Sequence, residues 1–596
     1  LCRIAGIVDK SQSPKAIADT VTQMCNLLAH GGPDDAGIYN CETAKLVLGH
    51  RRLALIDLSP LGHQPMIYKT DYVISFNGEI YNFPSLKSEL TNLGAAFKTN
   101  SDTEVILAAF AQWGEQSFTK LKGMFAFALY DKVNMQLYLV RDPSGIKPLY
   151  YSTTTSGLQF ASEIRAFSAV EAKKTNTNWP VFQMAYGHIP EPITTLANVF
   201  PLPKGCFLKY NLQTQRESLQ SFSHYSYSSQ IQDIDAAKKL IKDSTEAAVA
   251  GHLLSDAPIG VFLSGGIDSS VITSIASRCQ HENLQTLSLY FNEAAFSEKS
   301  YQDVLIKKLH CKYYQHLLDE TAFEDSFPSI LQAMDMPSCD GVNTWFISKY
   351  AKEQGLKAVL SGIGGDELFG GYPSFSRMQL STHLQKLPNA FLNIGKGSSI
   401  KRLRRLPYLQ LPDIKGLYLF LRGQFTPVEI AQQLGAEEKE IWRILQEAPV
   451  YSTLNGLAPG NKASWMEMNM YMQNQLLRDA DVMSMAHGIE IRVPLLADDL
   501  IRKAFSIAPD VKYKKGLPKY LLTDSFKTEL PEIIFNRKKM GFSFPFTQWL
   551  SNSNYVKELM ASSNAKTQRG YQKFLNGQMH WSNLMSLILL RVRNEG

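Results

Sequence analysis

With 596 residues the chain has room for roughly four units of about 150 residues, fewer if α/β domains take more each, and a single small binding module is excluded. Apolar residues at 44%, charged at 19% and aromatic at 11% match an ordinary globular protein and exclude a disordered chain. Lys+Arg 61 against Asp+Glu 55 leaves +6, about one excess positive charge per hundred residues, too dilute for a nucleic-acid footprint.

A helix is expected from Pro14 to Leu28 and another from Asp102 to Gln112. Between and after them, from Lys45 to about Glu163, short alternating or β-branched runs such as Tyr72-Val-Ile-Ser-Phe76, Met124 to Ala128 and Gln136 to Val140 read as strands. Together they predict an α+β layered domain over 1–210. The polar stretch Asn211 to Gln232 has little periodicity and reads as part of a linker over 211–234. Asp235 then caps a helix carrying Ala237, Leu240, Ile241, Ser244 and Ala248, and strand-like and helix-like runs alternate, which predicts a parallel sheet in a second domain, 235–596. From about Leu380 the text is mostly helical, including the amphipathic stretch Ala463 to His487.

Seven scattered cysteines, Cys2, Cys25, Cys41, Cys206, Cys279, Cys311 and Cys339, with no C-x-x-C pair, suggest neither a disulfide framework nor a zinc ribbon. No basic-then-apolar leader is visible, and the apolar run Leu584 to Leu590 is far short of the ~18 residues a membrane span needs. A soluble cytoplasmic protein with no membrane or nucleic-acid partner is expected. The basic cluster Lys396, Lys401, Arg402, Arg404 and Arg405 lacks interleaved aromatics and reads as a solvated or interdomain face, and neither His63 nor His487 has a partner at metal-ligand spacing.

The sharpest local signal is Ile259 to Leu263, then Ser264-Gly265-Gly266-Ile267-Asp268-Ser269-Ser270, then an apolar helix. Such a strand–turn–helix offers backbone N–H groups and a helix N-terminus to an anion. It is neither a G-x-x-x-x-G-K-[ST] loop nor a G-x-G-x-x-G turn. It resembles the pyrophosphate loop of enzymes that split ATP to AMP and pyrophosphate while adenylating a substrate. A second glycine-rich turn, Ser361-Gly362-Ile363-Gly364-Gly365-Asp366-Glu367, suits the same site, and Asp268 with Asp366 could share a Mg²⁺–pyrophosphate. At the other end, Cys2 would become an N-terminal cysteine if Leu1 were removed, and its free α-amine, with a reference pKa of about 7.7–8.0, could take the thiol proton.

Cys2 with Ile4-Ala5-Gly6, Gly49-His50-Arg51-Arg52-Leu53, Asn77-Gly78-Glu79, Ser101-Asp102-Thr103-Glu104 and Ala161-Ser162-Glu163 resemble the glutamine amidotransferase domain of the asparagine synthetase family. With the pyrophosphate loop, Glu490-Ile491-Arg492-Val493-Pro494 and Lys519, the resemblance covers nearly the whole chain. It implies an N-terminal-nucleophile sandwich followed by an α/β parallel sheet with a helical extension. It implies Cys2 as nucleophile, Asn77 and the Gly78 N–H as oxyanion hole, and glutamine held by Arg52, Leu53, Ala54, Leu55, Ile56, Asn77, Gly78, Glu79 and Asp102. For ATP it implies Leu263, Ser264, Gly265, Gly266, Asp268, Ser269, Leu289, Ser361 and Gly362, with Mg²⁺ on Asp268 and Asp366 and Lys519 stabilising the adenylation transition state. Ammonia would pass internally between the sites.

Four positions depart from the family pattern: Arg3 stands where it usually has Gly, Gly31 where it has Arg, Ile363 where it has an acid, and Ala497 where it has Asp. Arg3 lies beside the nucleophile, where a cation could favour the thiolate or obstruct glutamine. Ile363 occupies the position tied to formation of a β-aspartyl-AMP intermediate, and isoleucine can neither accept a proton nor repel an anion. The expected reaction is glutamine-dependent asparagine synthesis from aspartate and ATP. The alternatives are an amidotransferase of the same architecture acting on another carboxylate, such as a sugar or secondary-metabolite precursor, and a catalytically silent relative. A tRNA-modifying pyrophosphatase is disfavoured by the diffuse charge. Pathway and oligomeric state stay open, a homodimer being one possibility.

Overall fold

The computed structural model describes residues 2–594 apart from 171–173, 281–283, 310, 399, 449–453, 455 and 537–543, so the expectation about Leu1 lies outside the described residues. Two six-stranded antiparallel sheets form the first part of the chain. One runs in the order Phe200–Pro201, Tyr150–Thr153, Gly157–Ala161, Arg3–Asp9, Leu46–Arg52, Asp35–Cys41. The other runs Glu217–Ser221, Cys206–Asn211, Gln136–Arg141, Gly123–Asp131, Tyr72–Ile80, Met66–Tyr68.

Side chains alternate across each strand, and the layers follow from that period. Ile4 and Val8 join Val73, Ala126 and Ala128 between the two sheets. Ala5 and Ile7 point the other way, onto Ile17, Val21 and Met24 of helix Pro14–Leu27. On the far face of the second sheet Phe76, Phe125 and Phe127 pack under helices Phe83–Asn92 and Asp102–Trp113. Local signals set the helix starts: the Ser13 hydroxyl accepts from the Ala16 N–H at 3.2 Å ahead of Pro14, and Ser101 accepts from the Thr103 N–H at 3.1 Å. The result is a helix–sheet–sheet–helix sandwich.

The second part is built on a five-stranded, wholly parallel sheet in the order Lys312–Leu317, Gln285–Tyr290, Ile259–Phe262, Ala358–Leu360, Glu490–Arg492. Sequence order runs outward in both directions from Ile259–Phe262, so the strand order reverses between that strand and Ala358–Leu360. The crevice beyond such a reversal is where open α/β sheets receive ligands, and both glycine-rich turns leave their strands there. Helices between Pro373 and Met466 supply most of a separate apolar cluster, into which Trp179, Phe182 and Tyr186 of helix Trp179–Tyr186 reach from the first part.

Three local expectations are corrected. The stretch expected as a linker contains an edge strand, Glu217–Ser221, paired with Cys206–Asn211; all five residues are exposed on both faces, so no apolar alternation marks it. The helix expected to be capped by Asp235 starts at Ile234 and is capped by Asp233, whose carboxylate accepts from the Ala236 N–H at 2.7 Å. Helices Phe83–Asn92 and Trp179–Tyr186 add to the two expected in the first part.

Candidate functional site

Cys2 immediately precedes strand Arg3–Asp9, and the alternation that sends Ile4 between the sheets sends Cys2 to the same side. Asn77, in phase with Val73 on strand Tyr72–Ile80, faces that side too. Its side chain is fully buried, and neither Oδ1 nor Nδ2 has a hydrogen-bond partner among the described residues. A buried amide left unpaired is costly unless a ligand completes it. Gly78 follows with φ 153°, where a Cβ would strike the Met124 carbonyl, so the backbone there admits only glycine. Burial pushes the Cys2 thiol up to about 11, against the pull of the Leu53 backbone and of Arg52, and Sγ lies 4.0 Å from the Leu53 carbonyl.

Arg52 is enclosed by its own loop, donating to the carbonyls of Ser59 at 3.2 Å and Asp57 at 2.5 Å. Asp102 accepts from the Ile80 N–H at 3.0 Å, and burial lifts its carboxyl to about 6. Burial and the neighbouring Glu490 push Glu79 well above the usual carboxylate range. Leu53 and Leu55 turn into the core of the second part, the Asp57 N–H donates to Asp256 at 2.8 Å, and Ala54 donates to Asp34 at 2.9 Å. The 53–57 loop therefore joins the two halves of the molecule as well as bordering Cys2.

Arg492, to which the sequence reading gives no role, is fully buried at the end of the parallel sheet. It holds Glu490 at 2.5 Å, donates to the His252 and Leu254 carbonyls at 2.8 and 2.6 Å, and lies 3.6 Å from Glu79. The available signal was a Glu/Arg pair alternating with Ile489, Ile491 and Val493 in a strand buried on both faces, where charges persist only with partners.

Arg3 points away from Cys2, as alternation requires, and is fully buried. Its Nε lies 2.5 Å from Glu163 and another guanidinium nitrogen 2.9 Å from Asp481, on helix Arg478–Met485 of the second part. Burial opposes its charge, but Asp481 and Glu163 outweigh that and hold the guanidinium above arginine's usual value. The network continues through Glu163 to His30 at 3.0 Å and Arg165 at 2.8 Å, and through Asp481 to Lys147 at 3.2 Å. A Cβ at Gly31 would meet Arg3 Cγ at 2.8 Å and Nε at 3.0 Å. Two of the four departures are thus in contact: Arg3 fills the space in which any side chain at residue 31 would begin, and glycine there leaves it clear.

At the parallel sheet, Ser264 and Ser269 hydroxyls lie 3.0 Å apart across the first turn, and Gly265 has φ 79°. A Cβ at Gly362 would come within 2.8 Å of the Asp268 Cβ, and one at Gly365 would strike its carboxylate, so the two turns interlock through glycines. Leu263 and Leu289 are buried at the ends of adjacent strands, and the Ser361 N–H donates to the Arg492 carbonyl at 2.8 Å. Lys519, itself buried, bonds Asp268 through Nζ and lies 2.8 Å from Asp366. Burial disfavours its charge, yet the two carboxylates raise its pKa above the usual lysine value. No cluster of three or more His, Cys, Asp or Glu side chains suited to a metal occurs among the described residues.

Ile363 and Ala497 both pack against the apolar core beside the parallel sheet, and a Cβ at Gly364 would meet Leu496 at 2.6 Å, so the segments bearing them are in contact. These two departures also form a pair, each removing an acid from neighbouring backbone. Four residues beyond Ile363, Glu367 accepts from the Gly364 N–H at 3.1 Å and the Tyr372 hydroxyl at 2.7 Å and is lifted to about 7 by burial and by Asp366.

Residues 240–580 match the family model described as asparagine synthase, and residues 1–223 match that of a glutamine amidotransferase domain. The chain is 30% identical to asparagine synthetase [glutamine-hydrolyzing] 1 of Bacillus subtilis (strain 168), over 94% of this chain and 90% of that one. It is 30% identical to a putative asparagine synthetase [glutamine-hydrolyzing] of Mycobacterium bovis, over 89% and 85%, and 25% identical to Amidase chry2 of Gibberella zeae, over 93% and 89%. A glutamine amidotransferase domain followed by a parallel-sheet synthase domain, matched along nearly its whole length, places this chain in the asparagine synthase family.

Proposed function

We propose that the protein is a glutamine-hydrolysing asparagine synthetase, converting ATP, L-aspartate, L-glutamine and water to L-asparagine, L-glutamate, AMP and diphosphate through a β-aspartyl-AMP intermediate. The observation that carries this reading is Lys519 between Asp268 and Asp366, where the two glycine turns meet. Two carboxylates on separate turns suit Mg²⁺, which takes a few carboxylates plus phosphate oxygens, and the Lys519 ammonium already lies between them as a cation. Mg²⁺ bound there would offset charge on the departing pyrophosphate. Ser264 to Ser269, Ser361 and Gly362 cradle the phosphates, Leu263 and Leu289 border the adenine, and Lys519 stabilises the charge that develops on adenylation.

In the sandwich, the Cys2 thiolate attacks the glutamine side-chain carbonyl, and Asn77 with the Gly78 N–H receives the oxyanion. The carbon–nitrogen bond then breaks, ammonia leaves for the second site, and water hydrolyses the thioester to glutamate. A thiol held near 11 is protonated at neutral pH and needs a base at hand, which the α-amine of a Cys2 freed of Leu1 would supply. Arg52 pairs with the α-carboxylate of glutamine, Asp102 and Glu79 with its ammonium, and 53–56 forms the wall. All seven cysteines are free, which suits a cytoplasmic setting, and no helix among the described residues is long and apolar enough to cross a membrane.

A second reading, amidation of a different carboxylate, is favoured by the apolar packing of Ile363 and Ala497 where acids would stand. Carboxylate-dependent exchange of pyrophosphate into ATP separates the readings. Aspartate should support exchange, and Ile363→Glu should raise it. No exchange with aspartate but exchange with another acid would replace the acceptor, and none with any acid would leave a catalytically silent relative.

A further inference from the structure

The basic cluster read from the sequence as a solvated face divides in the structure. Lys396 pairs with Glu438 at 2.7 Å, whereas Arg404 and Arg405 line a cavity of about 440 Å³ in the helical extension. Helix Pro427–Leu434, helix Ala565–Leu575 and the segment from Gln578 into the start of helix Trp581–Asn594 complete its walls, and it shares no residue with the sites described above. Five permanent cations face it, Arg404, Arg405, Lys566, Arg569 and Lys573, against one carboxylate, Glu429, a net +4 (five minus one) in a chain whose whole excess is +6.

That carboxylate is already engaged: Glu429 pairs with Arg404 at 2.9 Å and accepts from the Thr426 N–H and hydroxyl at 2.7 and 2.9 Å. Among the described residues Arg405 bonds only to carbonyls, Gly423 at 2.8 Å and Leu421 at 3.4 Å, which fix its fork without neutralising it. The Nε atoms of both Arg404 and Arg405 are buried with no partner among the described residues. Burial together with Arg377 and Arg402 holds Arg405 below arginine's usual pKa, the mark of a cation short of counter-charge. Lys566 lies over Gly435 at the C-terminal end of helix Pro427–Leu434, a position that suits a cation. Arg569 and Lys573, four apart on a helix that carries no acidic residue, have no ion pair among the described residues. Like charges at that spacing weaken a helix slightly, a cost that an anion held between them would relieve.

We propose that this cavity is a binding site for a small organic phosphate carrying at least two negative charges. Arg405, Arg569 and Lys573 take the phosphates, with Arg405 presenting the planar fork that suits phosphate oxygens. Phe425 and Met579, which also line the cavity, receive the organic part. The volume lies within the range of about 300–1,000 Å³ typical of small-molecule sites and exceeds what a single inorganic phosphate fills.

Hydrogen–deuterium exchange on the full chain tests this, with millimolar ADP, inorganic pyrophosphate and sodium sulfate as separate probes. ADP should slow exchange in residues 424–434 and 565–583, pyrophosphate should do so only at higher concentration, and sulfate at matched ionic strength should not. Arg569→Gln with Lys573→Gln, on an exposed helix face, should weaken the ADP effect by about tenfold or more, the worth of one charge-assisted hydrogen bond. The same double variant should leave amide formation without ADP unchanged. Arg405→Gln should act alike, and the helix variants keep the test open if that one folds poorly. No protection by ADP, or equal protection by sulfate, overturns the proposal. Protection at 359–372 is read separately, so failure of the ATP assignment and failure of this one are distinguishable.

Discussion

If Arg3 and Gly31 are one relocated guanidinium, their substitutions must be strongly non-additive. Arg3→Gly leaves Glu163 and Asp481 buried with one cation fewer. Breaking a buried pair costs about 3–5 kcal/mol, and because Glu163 keeps His30 and Arg165 while Asp481 keeps Lys147, the low end of about 3 kcal/mol applies. Gly31→Arg alone forces a Cβ to 2.8 Å from Arg3 Cγ and adds a second cation to a filled space, an overpacking cost of about 1–3 kcal/mol before repulsion. In the double variant the new arginine enters the space that Arg3 vacates. It should be more stable than the sum of the singles by at least about 2 kcal/mol, within the range seen for residues in contact. Urea midpoints at constant slope read the difference. Because the far end of Arg3 is tied to Asp481, Arg3→Gly should also release more glutamate per amide formed, and the double variant should restore the ratio. Additivity within about 0.5 kcal/mol would refute the relocation.

The remaining predictions concern the two reaction sites. Asp102 titrates near 6 because burial disfavours its charge, so its contribution to stability is full below its unfolded pKa and declines as pH rises through about 6. Its proposed service to glutamine runs the opposite way, since the carboxylate exists only above that pH: KM for glutamine should climb below about 6, toward tenfold per pH unit, while the ammonia-dependent rate at saturation keeps its profile. A KM for glutamine that stays flat across that range removes Asp102 from the site. Asp268→Asn should abolish ATP–pyrophosphate exchange while glutaminase activity survives; undiminished AMP production in that variant contradicts the assignment.

Much of the architecture is legible where an apolar, β-branched run marks a buried strand or a capping residue marks a helix start. Tyr72 to Phe76 is such a run and forms a strand buried on both faces, and Ser13-Pro14 opens a helix as its capping chemistry demands. Glu217–Ser221 is invisible for the converse reason, an edge strand exposed on both faces. The glycine turns announce an anion site through local chemistry, but that Lys519 closes on Asp268 and Asp366 is a long-range fact that only the resemblance anticipates. Arg3, Gly31, Ile363 and Ala497 stand out singly in the sequence. That they act as two pairs depends on which backbones touch, and one-dimensional periodicity does not carry that. Arg492 and Glu367 escape because a buried charge shows its purpose only through its partners.

The central claim is two chemistries in one chain joined only by ammonia, and Cys2→Ala addresses it most directly. Amide product is measured with glutamine and, separately, with ammonium chloride as nitrogen source. The variant should lose the glutamine-dependent reaction and keep the ammonia-dependent one at the wild-type rate, with AMP and pyrophosphate as co-products. Equal loss with both nitrogen sources, or undiminished glutamine use, would contradict it.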